Sequence, residues 1–510
     1  MDWTGGYVAD IGYTAHFYRE TAPSHMAFAT LCIDRSPGRA LKPTRMLELG
    51  FGQGFGLALL AAANPDITFE GCDFNPEHVA HARRLIQGAE LSNVTVSETN
   101  FEDAVTRGLD NDIDVIVLHG IFSWVSRSAQ DAIVEILRQR LQPDGLAYIS
   151  YNCMPGWAPI VSIRQLMLAV KRRIPATSDR QISLALDLVL KFKQGNAAFF
   201  AANPAAAQYL EAMLKLDRVY LAHEYLDEHW ELFQFSEMAS RLAQAKLTFV
   251  ASATLTENLD KYTVPRELQP LIAQTSDPVL RETLRDFAAN RRFRRDLFAR
   301  GAATLTKGEH RHLLSEMSFA LAVPRSRVTF KFAGPLFELT GHDQFYSPVV
   351  DLLAEKIASF EELLALREYG SDKVGMLLDT LVGLVHSRQV FPITRMTADP
   401  APAQRFNRML VDSSRTGRVF FHLASPALRT GIPVSDLGLL ALAALFDGQS
   451  DCAAAAHHAL GALKAIDRRP MKNGKLIEDD STAIAFLVEN MQPILQEYVP
   501  IWRRLGVLPS

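Results

Sequence analysis

The segment Leu47-Glu48-Leu49-Gly50-Phe51-Gly52-Gln53-Gly54-Phe55-Gly56 constrains this chain more than any other. Glycines let a backbone turn tightly and approach a ligand closely. Arg45–Leu49, just before, reads as a strand. Phe55–Ala63, just after, reads as a helix that Asn64-Pro65 stops. The same alternation continues downstream. Ile67–Cys72 is a second strand. Asn75-Pro76-Glu77 starts a helix with a side-chain cap, a proline at the first helical position and an acid in the first turn. Val94–Val96, Val115–Leu118 and Leu146–Ser150 read as three more strands, with a helix over Ser128–Leu141 before the last. Val115–Leu118 is β-branched and suited to burial on both faces. Strand–helix alternation of this kind implies a doubly wound parallel α/β sheet. The glycine loop then lies at the carboxyl end of a central strand, where such sheets bind ligands.

The chain has 510 residues, 48% hydrophobic and 22% charged. Two to four domains of ordinary size fit that length. Lysine plus arginine is 53 and aspartate plus glutamate is 57, a net charge of −4. Overall charge therefore does not drive nucleic-acid binding, and no nucleic-acid partner is expected. Cys32, Cys72, Cys153 and Cys452 are scattered without a CxxC pair, which suits a reducing compartment. Met1-Asp2-Trp3 opens without a basic or apolar leader pattern. The longest apolar run, Leu437–Phe446, is too short to span a bilayer. A cytoplasmic protein with no membrane span is expected. His457-His458 and His310/His312 lack further ligands, so no metal is expected.

Pattern alone suggests four segments. Residues 1–160 hold the sheet and open with the aromatics Trp3, Tyr7, Tyr13, Phe17 and Tyr18. Residues 161–300 read as a helical middle region, with periods over Ile163–Arg173 and Gln181–Phe192. Its end carries Arg281, Arg285, Arg291, Arg292, Arg294, Arg295 and Arg300 among Phe287, Phe293 and Phe298. This reads as an amphipathic helix with a solvated or dimer-facing surface, or one that docks an acidic polypeptide. Residues 301–400 show helices near Ser347–Ile357, Phe360–Arg367 and Asp372–Val385, then a strand near Gln389–Ile393. Helices followed by a short hairpin suit a winged-helix-like module. Residues 401–510 read as helical.

Two ligand classes compete for the glycine loop. A dinucleotide fingerprint needs G-x-G-x-x-G. Counting from Gly50, its third glycine falls on Phe55; counting from Gly52, on Leu57. The observed E-x-G-x-G-x-G resembles instead the first motif of class I S-adenosylmethionine-dependent methyltransferases. The second strand ends at Asp73, 23 residues after Gly50, where a carboxylate can accept from both ribose hydroxyls. Asn100-Phe101, His119-Gly120-Ile121-Phe122-Ser123-Trp124 and Leu141-Gln142-Pro143-Asp144-Gly145 follow at the places the later motifs occupy. The resemblance implies a doubly wound Rossmann-like domain. It implies that Glu48, Gly50, Gly52, Gly54, Asp73, Phe74, Asn100, Phe101 and His119 bind S-adenosyl-L-methionine, which leaves as S-adenosyl-L-homocysteine.

Beyond the fifth strand stands Ser150-Tyr151-Asn152-Cys153-Met154-Pro155-Gly156-Trp157. Tyr151 and Asn152 could orient an attacking amine, and Trp157 could wall its channel or hold a methylated ammonium. Tyr151, Asn152, His119 and Trp157 are the candidate catalytic residues. The chain also resembles bacterial methyltransferases with a methyltransferase regulatory domain, including those that modify lysines of outer-membrane proteins. That resemblance rests on the motifs above with Asn64-Pro65 and Asp73-Phe74-Asn75-Pro76. It continues through Leu221-Ala222-His223-Glu224-Tyr225-Leu226, Asn290-Arg291-Arg292-Phe293-Arg294-Arg295, Ala424-Ser425-Pro426 and Gly431-Ile432-Pro433. It implies a catalytic domain, middle and dimerisation regions, a winged-helix-like module and a polypeptide substrate methylated on lysine. Homodimerisation is compatible with it. His223-Glu224-Tyr225 is read as an interdomain structural element, with contact to the acceptor pocket as the alternative. The first alternative is a small-molecule N- or O-methyltransferase. The second is a winged-helix regulator that senses the cofactor.

Overall fold

The computed structural model describes residues 8, 15–106, 112–301, 303–334, 336, 338–370, 372–395 and 399–509. Trp3, Tyr7 and Tyr13 lie outside the described residues. Seven strands form one sheet: β1 (Arg45–Leu49), β2 (Thr68–Asp73), β3 (Val94–Glu98), β4 (Ile113–Leu118), β5 (Leu141–Asn152), β6 (Thr248–Ser252) and β7 (Phe293–Ala299). Their order is β3-β2-β1-β4-β5-β7-β6. β1 to β5 are parallel, and β7 runs antiparallel to both β5 and β6. This is a mixed α/β sheet, doubly wound over β1 to β5.

Local chemistry sets these elements. β4 is buried along its whole length, as its β-branched run requires. Its one charge, Asp114, accepts the Thr44 N–H at 2.7 Å and the Thr44 hydroxyl at 2.8 Å. Asn75 caps the helix Pro76–Gly88 by accepting the Glu77 N–H at 2.9 Å. Asp144 takes the left-handed conformation, φ +61°, in the turn where the resembled motif carries glycine. The strand order reverses between β1 and β4, and the crevice opens at their carboxyl ends.

The stretch 161–300 is not helical throughout. β6 and β7 return to the sheet, and the arginine-rich stretch is the helix Pro278–Ala289 followed by β7. Asn290, at φ +47°, ends the helix. Strand alternation turns Arg294 toward that helix rather than toward solvent. Arg294 is fully buried and donates to Glu282 at 2.8 Å, Asp286 at 2.5 Å and Asp296 at 2.7 Å. Arg291 is also buried and donates to Asp286 at 3.0 Å. Three of the seven arginines, with Arg285 joining through Glu282, thus serve this ion network, which the solvated or docking surface did not foresee.

Between β5 and β6 the chain makes a helical excursion. It leaves the sheet and rejoins it at one parallel bridge, Cys153 to Phe233. The helices Val161–Arg173, Ser178–Gln194, Pro204–Met213 and Arg218–Leu226 build a separate core from Ile163, Met167, Ile182, Leu186, Leu210 and Leu221. Further on, Ser318–Leu321 pairs with both Ala358–Ser359 and Val390–Ile393. The hairpin expected after the helices is therefore not formed by Val390–Ile393, whose partner precedes them. The chain instead goes on into the helix Ala401–Ser414, started at Pro400-Ala401-Pro402.

The hairpin His422–Ser425/Thr430–Pro433 packs on the helix Phe55–Ala63. A Cβ on Gly431 would stand 2.8 Å from Phe17 and 3.0 Å from Leu59, so only glycine allows this approach. Asn64 donates to the Arg429 carbonyl at 3.1 Å, and Arg429 pairs with Asp66 at 2.7 Å. Two motifs more than 350 residues apart, Asn64-Pro65 and Gly431-Ile432-Pro433, thus meet. No described helix is long and apolar enough to cross a membrane.

Candidate active site

A cavity of about 600 Å³ opens at the carboxyl ends of β1, β2, β4 and β5. It has two halves. The first is lined by the glycine loop, Glu48, Asp73, Phe74, Phe101, His119 and Ile121, with Tyr18 over it. Gly50, Gly52 and Gly54 stand at φ +72°, +58° and +72°. A Cβ on Gly52 would meet no atom within 4 Å and would project into the cavity. Gly54 is fixed for another reason: its Cβ would come 3.1 Å from the Ala82 backbone.

Asp73 is buried and held before any ligand arrives. Oδ2 accepts the Gly52 N–H at 2.9 Å; Oδ1 accepts the Asn75 N–H at 2.9 Å and lies 3.2 Å from His78 Nδ1. A carboxylate has about four acceptor positions, so Oδ2 keeps one for a hydroxyl. Burial, and then the nearby Asp73 charge, push Glu48 up to about 8. His119 stacks on Tyr18 with ring centres 3.5 Å apart, and its Nδ1 lies 2.8 Å from the Tyr148 hydroxyl. Burial, followed by the Arg295 charge, pushes it down to about 3, so the imidazole is neutral.

The second half belongs to the excursion and the edge of β7. Trp157, Tyr209, Tyr220 and Tyr225 wall it, with Glu224, Asp227, Arg292 and Arg295 among them. Trp157 stands edge-on to Trp230 at 5.5 Å and to Tyr225 at 6.4 Å. Below, the buried Arg164 lies 4.6 Å over the Trp230 ring. Arg292 donates to the Tyr209 hydroxyl. Burial pushes Glu224 up to about 7; Asp227 adds to the rise, and Tyr220 and Arg164 oppose it. Asp227 also rises to about 7 through burial, although Val8 N–H donates to it at 2.7 Å.

Asn152 sits between the halves. Its N–H donates to Ser123 Oγ at 2.9 Å and its carbonyl accepts the Phe233 N–H at 3.1 Å. Its own Nδ2 is buried and finds no partner among the described residues. The Trp157 Nε1 is in the same condition. Both residues line the cavity.

Of the residues singled out from sequence, Glu48, Gly50, Gly52, Gly54, Asp73, Phe74, Phe101, His119, Asn152 and Trp157 line this one cavity. Two do not. Tyr151 alternates to the other face of β5, is fully buried, and donates to Asp296 at 2.6 Å. Asn100 is exposed and spent on its own helix: it accepts the Asp103 N–H at 2.7 Å and donates to Asp103 at 2.9 Å. His223-Glu224-Tyr225 takes the second of its two readings, since all three line the cavity. Tyr18, Tyr209, Tyr220, Asp227 and Arg295 also line it. Arg295 closes the arginine-rich motif; the other four stand in no local motif and reach the cavity through packing of distant segments.

Fold and cavity together define an S-adenosylmethionine-dependent methyltransferase. Residues 46–145 match the methyltransferase domain family and residues 217–300 match the predicted methyltransferase regulatory domain. The protein sll1526 of Synechocystis is 32% identical over 515 residues, covering 99% of this chain and 100% of that one. The chain belongs to the family of methyltransferases that carry this regulatory domain. The Rickettsia prowazekii protein RP789 is 28% identical over 294 residues, 56% of this chain and 51% of that one. Among solved structures, PKMT2 from Rickettsia typhi in complex with AdoHcy superposes with a TM-score of 0.70 at 19% identity, covering 97% of this chain and 100% of that one.

Proposed function

We propose that this methyltransferase acts on lysine side chains of a polypeptide. One observation carries the reading: the half of the cavity beyond the donor site is walled by Trp157, Tyr209, Tyr220 and Tyr225 and contains the carboxyl groups of Glu224 and Asp227. Aromatic faces with carboxylates suit an ammonium ion and its methylated forms, and do little for a neutral hydroxyl acceptor. The mouth of this half carries Leu216 and Tyr220, 46% and 41% exposed, as a seat for a peptide flanking the lysine. The fold shared with PKMT2 points the same way.

The donor half fits S-adenosylmethionine through the open cradle at Gly52 and the free lone pair of Asp73. Asp73 would accept from a ribose hydroxyl on Oδ2, Phe74 and Phe101 would flank the adenine, and Glu48 would take the methionine ammonium. When bound, the donor supplies a methyl carbon on sulfur and keeps the C–S electron pair as it leaves. The chain supplies orientation and a dry site. A lysine near 10.4 in water must lose its proton to attack. His119, pushed down to about 3, is too weak a base to remove that proton. It serves as wall and anchor. Asn152, which lines the cavity, would orient the acceptor nitrogen by accepting one of its hydrogens on Oδ1.

The test is methyl transfer from labelled S-adenosylmethionine into a fractionated lysate of the source cells, followed by mass spectrometry. Label on protein lysine is expected. Label confined to small molecules would overturn the reading.

A further inference from the structure

We propose that Glu224, a residue of the regulatory-domain stretch, binds the acceptor ammonium and takes its proton before methyl transfer; this rests on the lysine reading above. The geometry points to Glu224 by position. It lines the same cavity as the glycine loop and stands on the helix Arg218–Leu226, among Trp157, Tyr209, Tyr220 and Tyr225. Other candidate bases are otherwise engaged or placed. Glu48 lines the donor half, beneath the glycine loop. His119 Nδ1 is taken by the Tyr148 hydroxyl. Asp227 accepts the Val8 N–H at 2.7 Å. Glu224 is left with the Tyr220 hydroxyl on its own helix and the longer-range charge of Arg164 from Val161–Arg173. The remaining titratable groups within its field are Asp227, Tyr225 and Tyr18, with Arg292 acting on Tyr220 and Tyr225.

The proton balance closes. The ammonium gives one proton to the Glu224 carboxylate. The freed nitrogen lone pair forms the N–C bond as the C–S bond breaks, and the positive charge passes to the methylated ammonium. Burial holds Glu224 near 7, so above that pH it is ionised and competent, and below it the acid form has nothing to offer an ammonium.

The test is a titration of n-butylammonium into the AdoHcy-loaded protein by ligand-observed NMR between about pH 6 and 9. Affinity should rise with pH through about 7. Glu224→Gln should weaken binding by roughly tenfold or more at about pH 8 and flatten the pH profile, while AdoHcy affinity stays. Glu224→Asp should restore part of the rise. Asp227→Asn should keep the rise and move it to lower pH, because a like charge is gone. A wild-type profile in Glu224→Gln overturns the assignment, as does flattening by Asp227→Asn alone. If Glu224→Gln loses AdoHcy affinity, Glu224→Asp decides: a wild-type profile there, midpoint unmoved, overturns it. A wild-type protein that holds AdoHcy and ignores n-butylammonium overturns the lysine reading itself.

Discussion

The two halves of the cavity are built from different materials. The donor half is mostly backbone: three glycines at positive φ and a carboxylate fixed by two amide N–H groups. The acceptor half is side chain: one tryptophan, three tyrosines and two carboxyl groups brought from the excursion. Backbone recognition is written in contiguous sequence, because a turn needs its glycines at fixed spacing. Side-chain recognition needs only that helices pack, so its residues fall at no particular spacing. The first half is therefore held by the backbone, and on the lysine reading proposed above the second half is where substrate choice would reside.

The largest expected effect breaks the donor half alone. Gly52→Val puts a β-branched residue at φ +58°, a strained position, with no protein atom within 4 Å of its Cβ; in the folded variant calorimetry should detect no AdoHcy binding. Retained binding in a folded variant would mean the loop is not the cradle. The next breaks the seam behind the acceptor half. Arg294→Ala leaves Glu282, Asp286 and Asp296 without their shared cation and should cost roughly 3–5 kcal/mol in denaturant unfolding. A loss below about 1 kcal/mol would show that water replaces the guanidinium. Asp73→Ala should weaken AdoHcy by roughly 1–3 kcal/mol, since it removes a charged acceptor and orphans the Gly52 and Asn75 N–H groups. Unchanged affinity would detach Asp73 from the ribose.

Tyr151→Phe should cost about 1 kcal/mol of stability through the lost donor to Asp296, with AdoHcy affinity unmoved. A drop in affinity at full stability would return Tyr151 to the site. The smallest effect is a fraction of a proton. Glu48, near 8 without ligand, is mostly protonated at pH 7; an ammonium beside it favours the ionised form. AdoHcy binding near pH 7 should therefore release a proton, visible as a dependence of binding heat on the buffer, and Glu48→Gln should abolish it. Equal release in both would place the amine elsewhere.

Most of β1 to β5 and the donor half were legible in the sequence. Glu48 to Gly54, Asp73 and Phe101 sit at strand ends, and strand ends announce themselves by β-branched runs and turns. Asn100 misled because a residue at a strand end that also opens a helix has two uses, and here the cap took it. Tyr151 misled because its neighbour Asn152 faces the cavity and a strand presents only alternate residues. β7 stayed hidden because buried arginines among phenylalanines look like an exposed helix until their carboxylate partners, Glu282, Asp286 and Asp296, are placed. Glu224 was visible as part of a motif, but nothing in its local spacing says that it faces a cavity.

The bridge between Cys153 and Phe233 has one more implication. The excursion begins and closes at a single point of the sheet, one strand spacing wide, about 4.8 Å. Its length and helix count are then free of the geometry of the donor site. Any insert whose two ends come that close can hang there, so long as it keeps a core of its own. The catalytic sheet is in this sense a chassis and the excursion an interchangeable tool head.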